Sequence, residues 1–194
     1  MSLRRHVVRA VQKVGWVYLS DLFFVMPEDR LANVQITEPC SFTAITFENA
    51  SKVRDFREED LTAEFCGKLK RGEKGFFAVL GDKAAGNIWA TANESPQPKM
   101  VRGFMKLNSG EALIHDIVTG TSFRGLGIGP YMVTQIAPVL FGKYGVRRIV
   151  IDVNVKNTPS LRMMNKAGLQ AKQKQLAISA FQNLVYHKTL AHYA

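Results

Sequence analysis

Three glycines that alternate along the chain are the first residues whose spacing suggests chemistry. Gly125, Gly127 and Gly129 lie between an apolar run of strand length, residues 112–119, and a run long enough for a helix, residues 131–141. Glycine lets the backbone approach a ligand closely. A helix N-terminus presents unpaired N–H groups at the positive end of its dipole. The pattern therefore predicts a binding site for a phosphate or pyrophosphate group.

Two common nucleotide-binding fingerprints do not fit this loop. The dinucleotide pattern G-x-G-x-x-G lacks its third glycine, whether it is counted from Gly125 or from Gly127, and the Gly-Lys-Ser/Thr of a P-loop does not follow. The pattern that does fit is R-x-x-G-x-G, at Arg124, Gly127 and Gly129.

A second block follows one more predicted strand, residues 147–153. Asn157, Thr158 and Pro159 form a good helix start, because Asn caps a helix well and Pro suits the first turn. A short helix ending near Leu169 comes next. Residues 112–169 thus predict a strand, a glycine-rich turn, a helix, a strand and a helix.

In this order the two blocks resemble the pyrophosphate loop and the second motif of the GNAT superfamily, the acyl-CoA-dependent N-acyltransferases. The resemblance is specific over residues 112–169 and loose before Phe77. It implies an α/β (α+β) fold with a mixed, mostly antiparallel central sheet flanked by helices. It also implies transfer of an acetyl group from acetyl-CoA to a primary amine by direct attack. The acceptor would be a small-molecule or protein amine, and a homodimer is one option for the assembly.

The resemblance also assigns cofactor-binding roles to residues of both blocks. The loop backbone would take the pyrophosphate, the strand before it would pair with the pantetheine arm and supply the oxyanion donor, and the second block would lie beside the arm. These residues are Ile117, Val118, Thr119, Arg124, Gly125, Leu126, Gly127, Ile128, Gly129, Asn157 and Ser160. Asn157 could equally serve only as a helix cap, and both roles can hold together.

His115 is the candidate general base, because GNAT proteins often carry one on this strand. An unperturbed histidine titrates near pH ~6.5 and can accept a proton at neutral pH. The alternative is a structural histidine beside Asp116, the second catalytic candidate. Strand alternation places Asp116 on the face opposite His115, unless a bulge intervenes.

Met164 departs from the family pattern. Many members carry a tyrosine at the matching position, which protonates the leaving thiolate, and a methionine has no proton to give. An alternative function is therefore a non-catalytic acyl-CoA-binding or sensor module. Another is a transferase of long acyl chains at a membrane surface.

Composition bounds these options. The 194 residues are 46% hydrophobic and 22% charged, which is typical of a globular chain. The net charge of +10 suits an anionic ligand such as CoA or an anionic membrane. Dispersed basic residues without interleaved aromatics argue against nucleic-acid binding. Cys40 and Cys66 match no metal spacing, so no metal is expected, and isolated thiols indicate a reducing, cytoplasmic compartment.

Residues 1–30 differ from the domain predicted for residues 31–194. Apolar residues recur at helical spacing through Tyr18 and Leu22, with basic residues on other faces, which predicts an amphipathic helix within residues 3–26. It could give peripheral membrane contact through residues 1–26, or it could pack on the domain or on another subunit.

The remaining elements follow from local pattern. Pro138 predicts a kink or an early end of the long helix, and Met105 and Leu107 are expected to continue the sheet. Strands are expected at residues 42–47, 76–80, 84–91, 170–180 and 183–190, and helices at residues 50–56 and 58–70.

Overall fold

The computed structural model of the protein describes residues 15–180 and 183–193, and the elements within them surround one large sheet. The strands are β1 (Gly15–Val25), β2 (Cys40–Ala44), β3 (Lys74–Leu80), β4 (Lys83–Ala92), β5 (Lys99–Val101), β6 (Met105–Leu107), β7 (Glu111–Thr119), β8 (Arg148–Asn154), β9 (Ala171–Ala180) and β10 (Asn183–His192). The α-helices are α1 (Thr62–Lys70), α2 (Ile128–Tyr144) and α3 (Thr158–Lys166), and 3-10 helices span Ala50–Asp55 and Thr121–Phe123.

The large sheet has eight strands in the order β10-β9-β1-β8-β7-β4-β3-β2, while β5 pairs with β6 in a separate hairpin. Neighbouring strands of the large sheet are antiparallel except β7 and β8, which are parallel. A parallel pair needs a crossover, and α2 supplies it. The predicted fold class, a mixed and mostly antiparallel sheet flanked by helices, is confirmed.

The two faces of the sheet carry different coverings. α2 and α3 pack on one face, where Ile114 of β7 and Ile151 of β8 lie in their core cluster. On the opposite face α1 places Phe65 against Trp89 of β4. The β5–β6 hairpin covers the neighbouring part of this face through Phe104. The sheet therefore separates a helical side, covered by α2 and α3, from a hairpin side, covered by α1 and the β5–β6 hairpin.

The predicted N-terminal helix is wrong for residues 15–25. These residues form β1, which pairs with both β8 and β9. Helical spacing misleads here because Tyr18 and Leu22, four residues apart, share a face in a strand as well as in a helix. Leu22 and Phe23 are buried on opposite faces of the sheet, as strand alternation requires.

This pairing also changes the predicted domain boundary at residue 30. Because β1 lies inside the sheet, residues 15–25 belong to the same structural unit as the strands on either side of them. They do not form a helix that could rest on a membrane surface. The part of that prediction that concerns residues 1–14 lies outside the described residues.

Most of the other predicted elements are confirmed to within a few residues, and three details differ. α2 continues through Pro138 to Tyr144, so the predicted early end is wrong. The helix expected over residues 50–56 is a 3-10 helix. Met105 and Leu107 belong to the β5–β6 hairpin and not to the large sheet. Among the helices of residues 15–180 and 183–193, none is long and apolar enough to cross a membrane.

Gly86 of β4 offers a test of the contact between β4 and β7. A Cβ added there would lie 2.5 Å from the carbonyl oxygen of Val118, and backbone cannot move aside cheaply. We expect Gly86→Ala to lower the free energy of unfolding by about 2 kcal/mol. The control is Gly142→Ala in α2, where the added Cβ would have no heavy atom within 4 Å in the described structure. Gly142→Ala should raise the free energy of unfolding by about 0.5 kcal/mol. Urea unfolding measures both changes. A Gly86→Ala protein as stable as the wild type would contradict the close contact between β4 and β7.

Candidate active site

The site begins where β7 and β8 separate. The two strands pair in parallel from Glu111 opposite Arg148 to Ile114 opposite Ile151, although β7 runs on to Thr119 and β8 to Asn154. Beyond the last pair a cavity of about 250 Å³ opens between them. Over this stretch the side of β7 that faces β8 has no strand partner in the described chain. Its free backbone N–H and C=O groups can therefore bind a ligand that carries amides.

A bulge in β7 sets the direction of the side chains that face the cavity. Asn87 of β4 pairs with Val118 and Trp89 pairs with His115, so one residue of β4 stands opposite two of β7. Asp116 lies in the bulge with a positive φ of 47°. The Asn87 side-chain amide donates a hydrogen bond to the backbone carbonyl of Asp116 at 2.6 Å, which holds this conformation.

The bulge places His115 and Asp116 on the same face, the one covered by α1 and the hairpin. His115 is the cross-strand partner of Trp89, so the two side chains lie on the same face, and the Trp89 ring lies in the core cluster under α1. The Asp116 carboxylate reaches Lys68 of α1, which is on the same side. The alternation expected for a regular strand therefore does not hold here, because the bulge changes it.

His115 lies in a mostly buried, polar environment. Its Nε2 is 3.0 Å from Thr91 Oγ1 and 3.3 Å from Glu73 Oε2. Burial, together with the positive charges of Lys68 and Arg102, lowers the pKa of His115 to about 4, although the Asp116 carboxylate acts in the opposite direction. His115 is therefore neutral at pH 7, and its pKa is well below the unperturbed value used in the sequence analysis.

Asp116 is held in ion pairs. Lys68 Nζ makes a short contact with Asp116 Oδ2, and Arg57 Nη2 lies 3.4 Å from Oδ1. Lys68 also pairs with Glu64 at 3.1 Å and has only a 9% exposed side chain. Two cations therefore engage the Asp116 carboxylate, which fixes the bulge to α1 and to the segment after the first 3-10 helix.

The glycine loop forms the N-terminus of α2, as predicted. Gly127 is the N-cap with a left-handed φ of 82°, and no side chain caps the helix there. Gly125 also has a positive φ, of 88°. A Cβ at Gly129 would lie 2.6 Å from Met163 Sδ of α3, so the Met163 side chain would have to shift. The first N–H groups of α2 are thus accessible to an anion.

The second block forms α3, and both roles considered for Asn157 remain compatible. Its Oδ1 accepts a hydrogen bond from Ser160 N at 3.2 Å, so Asn157 is a helix cap. Asn157 and Ser160 also line the cavity between β7 and β8.

A groove of about 670 Å³ runs along the helical side, past the glycine loop and α3. It shares Ile117, Val118, Asn157, Ser160 and Met163 with the cavity between the strands. All the predicted cofactor-binding residues except Leu126 line this groove. A long ligand held at the loop can therefore extend into the gap beside His115.

Basic residues of α3 that no sequence motif indicated also lie on this groove. Arg162 and Lys166 line it together with Arg124. The spacing of four between Arg162 and Lys166, which puts both on one side of a helix, is a signal that could have identified them.

A polar group that no sequence motif indicated lies on the hairpin side of the cavity and is formed by Tyr18, Arg102 and Asp152. Arg102 Nη1 donates a hydrogen bond to Asp152 Oδ2 at 2.7 Å. Burial, followed by the charge of Asp152, raises the pKa of Tyr18 to about 12. Met164, at the position where many GNAT members carry tyrosine, is fully buried in the core and lines the same cavity.

A strand edge that is free to pair with a pantetheine arm, beside a glycine-rich helix N-terminus, is the arrangement that the resemblance to acyl-CoA-dependent N-acyltransferases implies. The family model described as acetyltransferase (GNAT) family matches residues 40–169. The chain belongs to this family, and the family predicted from the two sequence blocks is confirmed.

Two individual proteins show how far the similarity extends. A glucosamine 6-phosphate N-acetyltransferase from Trypanosoma brucei brucei is 28% identical over 102 residues, which are 52% of this chain and 63% of that protein. An acetyltransferase of the GNAT family from Colwellia psychrerythraea has a TM-score of 0.59 at 13% identity, over 90% of this chain and 60% of that one. The chain thus spans less than two thirds of either relative.

A solved structure with a ligand has a similar fold. AAC(6')-Iy in complex with the bisubstrate analogue CoA-S-monomethyl-acetylneamine has a TM-score of 0.54 at 17% identity, over 69% of this chain and 92% of that one. At such identities the likeness to solved structures establishes the fold alone.

The lowered pKa of His115 predicts a pH dependence of stability. The unfolded chain binds a proton at His115 near pH ~6.5 and the folded chain only near pH 4, so protonation favours unfolding as the pH falls through this window. Between pH 7 and pH 4.5 we expect the wild type to lose about 2 to 3 kcal/mol more unfolding free energy than His115→Gln. Urea unfolding of both proteins at both pH values measures this difference. Equal losses would show that His115 titrates normally in the folded protein.

Proposed function

We propose that the chain transfers an acetyl group from acetyl-CoA to a primary amine. The observation that carries this proposal is the continuity of the groove at the glycine loop with the gap between β7 and β8. Such a path holds the thioester of a bound acetyl-CoA in one place, where an amine can attack it, which removes much of the entropic barrier of a bimolecular reaction.

The chain's residues have distinct roles in binding acetyl-CoA. The pyrophosphate accepts hydrogen bonds from the N–H groups at the start of α2, favoured by the helix dipole. Ile117, Val118 and Thr119 pair through their backbone with the amides of the pantetheine arm. Backbone N–H groups of this free strand edge also stabilise the thioester oxygen as it becomes negative. Asn157 and Ser160 border the arm from α3.

An ammonium acceptor first loses one proton to solvent, because only the free amine is nucleophilic, and the amine loses a second proton as its nitrogen bonds to the acetyl carbon. In this proposal neutral His115 accepts a proton, and Asp116 is a positioning residue, because its carboxylate is engaged by Lys68 and Arg57. The electron pair of the broken C–S bond leaves on the sulfur of CoA. Because the pKa of His115 lies near 4, the acid limb of the rate profile should follow the acceptor amine and not the histidine.

Binding of acetyl-CoA is the direct test of the proposal, and the variant used in it replaces both Arg162 and Lys166. We expect calorimetry to detect acetyl-CoA binding by the wild type, and the pair Arg162→Gln/Lys166→Gln to bind about tenfold more weakly, because two partly exposed charges would contact phosphate. The weakening should shrink as salt is added. Lys83→Gln/Lys99→Gln removes the same charge at exposed positions away from the groove, and should bind normally. Absence of any heat with the wild type would contradict the proposed function.

A second candidate function is an acyl-CoA-binding or sensor module without turnover, and the buried Met164 favours it. Release of free thiol from acetyl-CoA on mixing with an amine distinguishes the two. The name of the Trypanosoma brucei brucei relative makes glucosamine 6-phosphate the first acceptor to test, with glucosamine as its partner without phosphate. A series of acyl-CoAs of increasing chain length tests the proposed variant that accepts longer acyl groups.

We expect His115→Gln to lower the rate of thiol release at least tenfold, because proton removal by a positioned base contributes a factor of this size or more. Its affinity for acetyl-CoA should stay close to that of the wild type. Unchanged turnover would remove His115 from the mechanism. Thiol release that requires no acceptor amine would indicate hydrolysis and not acetyl transfer.

A further inference from the structure

Glu73 brings a second carboxylate close to the candidate base, and the end of α1 fixes its position. Gly72 has a positive φ of 78°, and its N–H donates a hydrogen bond to the carbonyl of Leu69 at 2.9 Å. The N–H of Glu73 donates to the carbonyl of Lys68 at 3.1 Å. These two bonds form a Schellman motif, in which a glycine in the left-handed conformation ends the helix. The backbone of Glu73 is therefore held in place where the chain enters β3.

The side chain of Glu73 lies between an arginine and the histidine. Its Oε1 accepts hydrogen bonds from Arg71 Nε at 2.9 Å and Nη2 at 2.8 Å, and its Oε2 lies 3.3 Å from His115 Nε2. The Glu73 side chain is mostly buried, so dissolved ions screen its charge much less than they would at an exposed position. Oε2 therefore acts at close range on the Nε2 edge of the His115 ring.

This carboxylate selects the ring nitrogen that carries the proton of neutral His115. A neutral imidazole has one N–H and one bare nitrogen that accepts hydrogen bonds. A bare Nε2 would place two acceptors against each other, whereas an Nε2–H is attracted to Oε2. Thr91 Oγ1, 3.0 Å from Nε2, can either donate or accept, so it suits both tautomers. The geometry thus favours the tautomer with Nε2–H and a bare Nδ1.

Nδ1 is the ring nitrogen that a ligand in the cavity between β7 and β8 can reach. Within residues 15–180 and 183–193, Nδ1 of His115 makes no hydrogen bond, and it is not one of the fully buried polar atoms that lack a partner. His115 lines the cavity, whereas Glu73 and Thr91, the two contacts of Nε2, do not. A proton that leaves a substrate in the cavity therefore has Nδ1 as its acceptor on His115.

We propose that Glu73 is a positioning residue that holds the proton of neutral His115 on Nε2, so that Nδ1 takes the proton of the attacking amine. This inference rests on the proposed acetyl transfer and adds a residue to its mechanism. As the amine nitrogen bonds to the acetyl carbon, one N–H bond breaks and its proton bonds to Nδ1. The imidazolium that forms keeps its Nε2–H toward Glu73. It later releases the Nδ1 proton to solvent, which restores the neutral ring.

NMR of the 15N-labelled ring nitrogens tests the tautomer without any substrate, because bare and protonated ring nitrogens give well separated signals. The protein has four histidines, and His115→Gln assigns the signals of His115 by removing them. At pH 7 we expect Nε2–H and a bare Nδ1 in the wild type. Glu73→Gln should lower the ratio of this tautomer to the other at least about tenfold, because the charge-assisted contact at Nε2 is lost. Glu94→Gln removes an exposed carboxylate that lies near Lys74, and should leave the ratio unchanged.

Thiol release from acetyl-CoA, with glucosamine 6-phosphate or glucosamine as the acceptor, gives the functional test. Glu73→Gln should lower the rate about tenfold, because the base then holds its proton on the wrong nitrogen for much of the time. Its affinity for acetyl-CoA should stay close to that of the wild type. In a His115→Gln background the same substitution should cause no further loss, because Glu73 acts through the histidine. Glu94→Gln should release thiol at the wild-type rate.

The inference is overturned if His115 of the wild type carries its proton on Nδ1, or if Glu73→Gln leaves the tautomer ratio unchanged. It is also overturned if Glu73→Gln lowers the rate equally in both backgrounds, as the loss of a purely structural contact would. If the wild type releases no thiol with either amine, acetyl transfer to these acceptors is contradicted. The tautomer measured on the free protein then still decides whether Glu73 positions the proton of His115.

Discussion

The separation of β7 from β8 after four paired residues is the constraint on which the rest of the structure depends. Strands in a sheet normally stay paired, because each lost residue pair leaves backbone N–H and C=O groups without hydrogen-bond partners. Here the pairing of the two strands ends at Ile114, two residues before the bulge at Asp116. The gap joins the two sides of the sheet, with the glycine loop on one side and a polar group on the other. Without it the chain would have an anion site but no route to His115.

Charges around this gap lie in pairs, and each pair has one buried and one partly exposed side chain. Lys68 with Asp116, and Arg102 with Asp152, bring opposite charges together where a single charge would be costly. Such pairs add little net stability compared with apolar packing, but they hold side chains in fixed positions. The same surroundings keep His115 neutral. The site therefore sacrifices some stability for placement, which is common where chemistry must occur.

The elements with local signals were predictable from the sequence. The glycine loop, the cap at Asn157 and the strand that carries His115 depend on residues close together in the chain. The face of Asp116 was not predictable, because the bulge depends on Asn87 of another strand. Asp152 and Arg102 belong to no motif and meet only in the folded chain. A lone carboxylate within the apolar run of β8 is the signal that could have drawn attention to Asp152.

The position of β1 has a consequence for biosynthesis. β1 leaves the ribosome before the other described strands, yet its neighbours in the sheet, β8 and β9, are made only after β2 to β7. Its aromatic and aliphatic side chains must wait without a partner while most of the chain is translated. Long-range pairing of this kind slows folding and leaves nascent apolar surface open to aggregation. Folding during synthesis therefore cannot complete the sheet around β1 before β8 and β9 have left the ribosome.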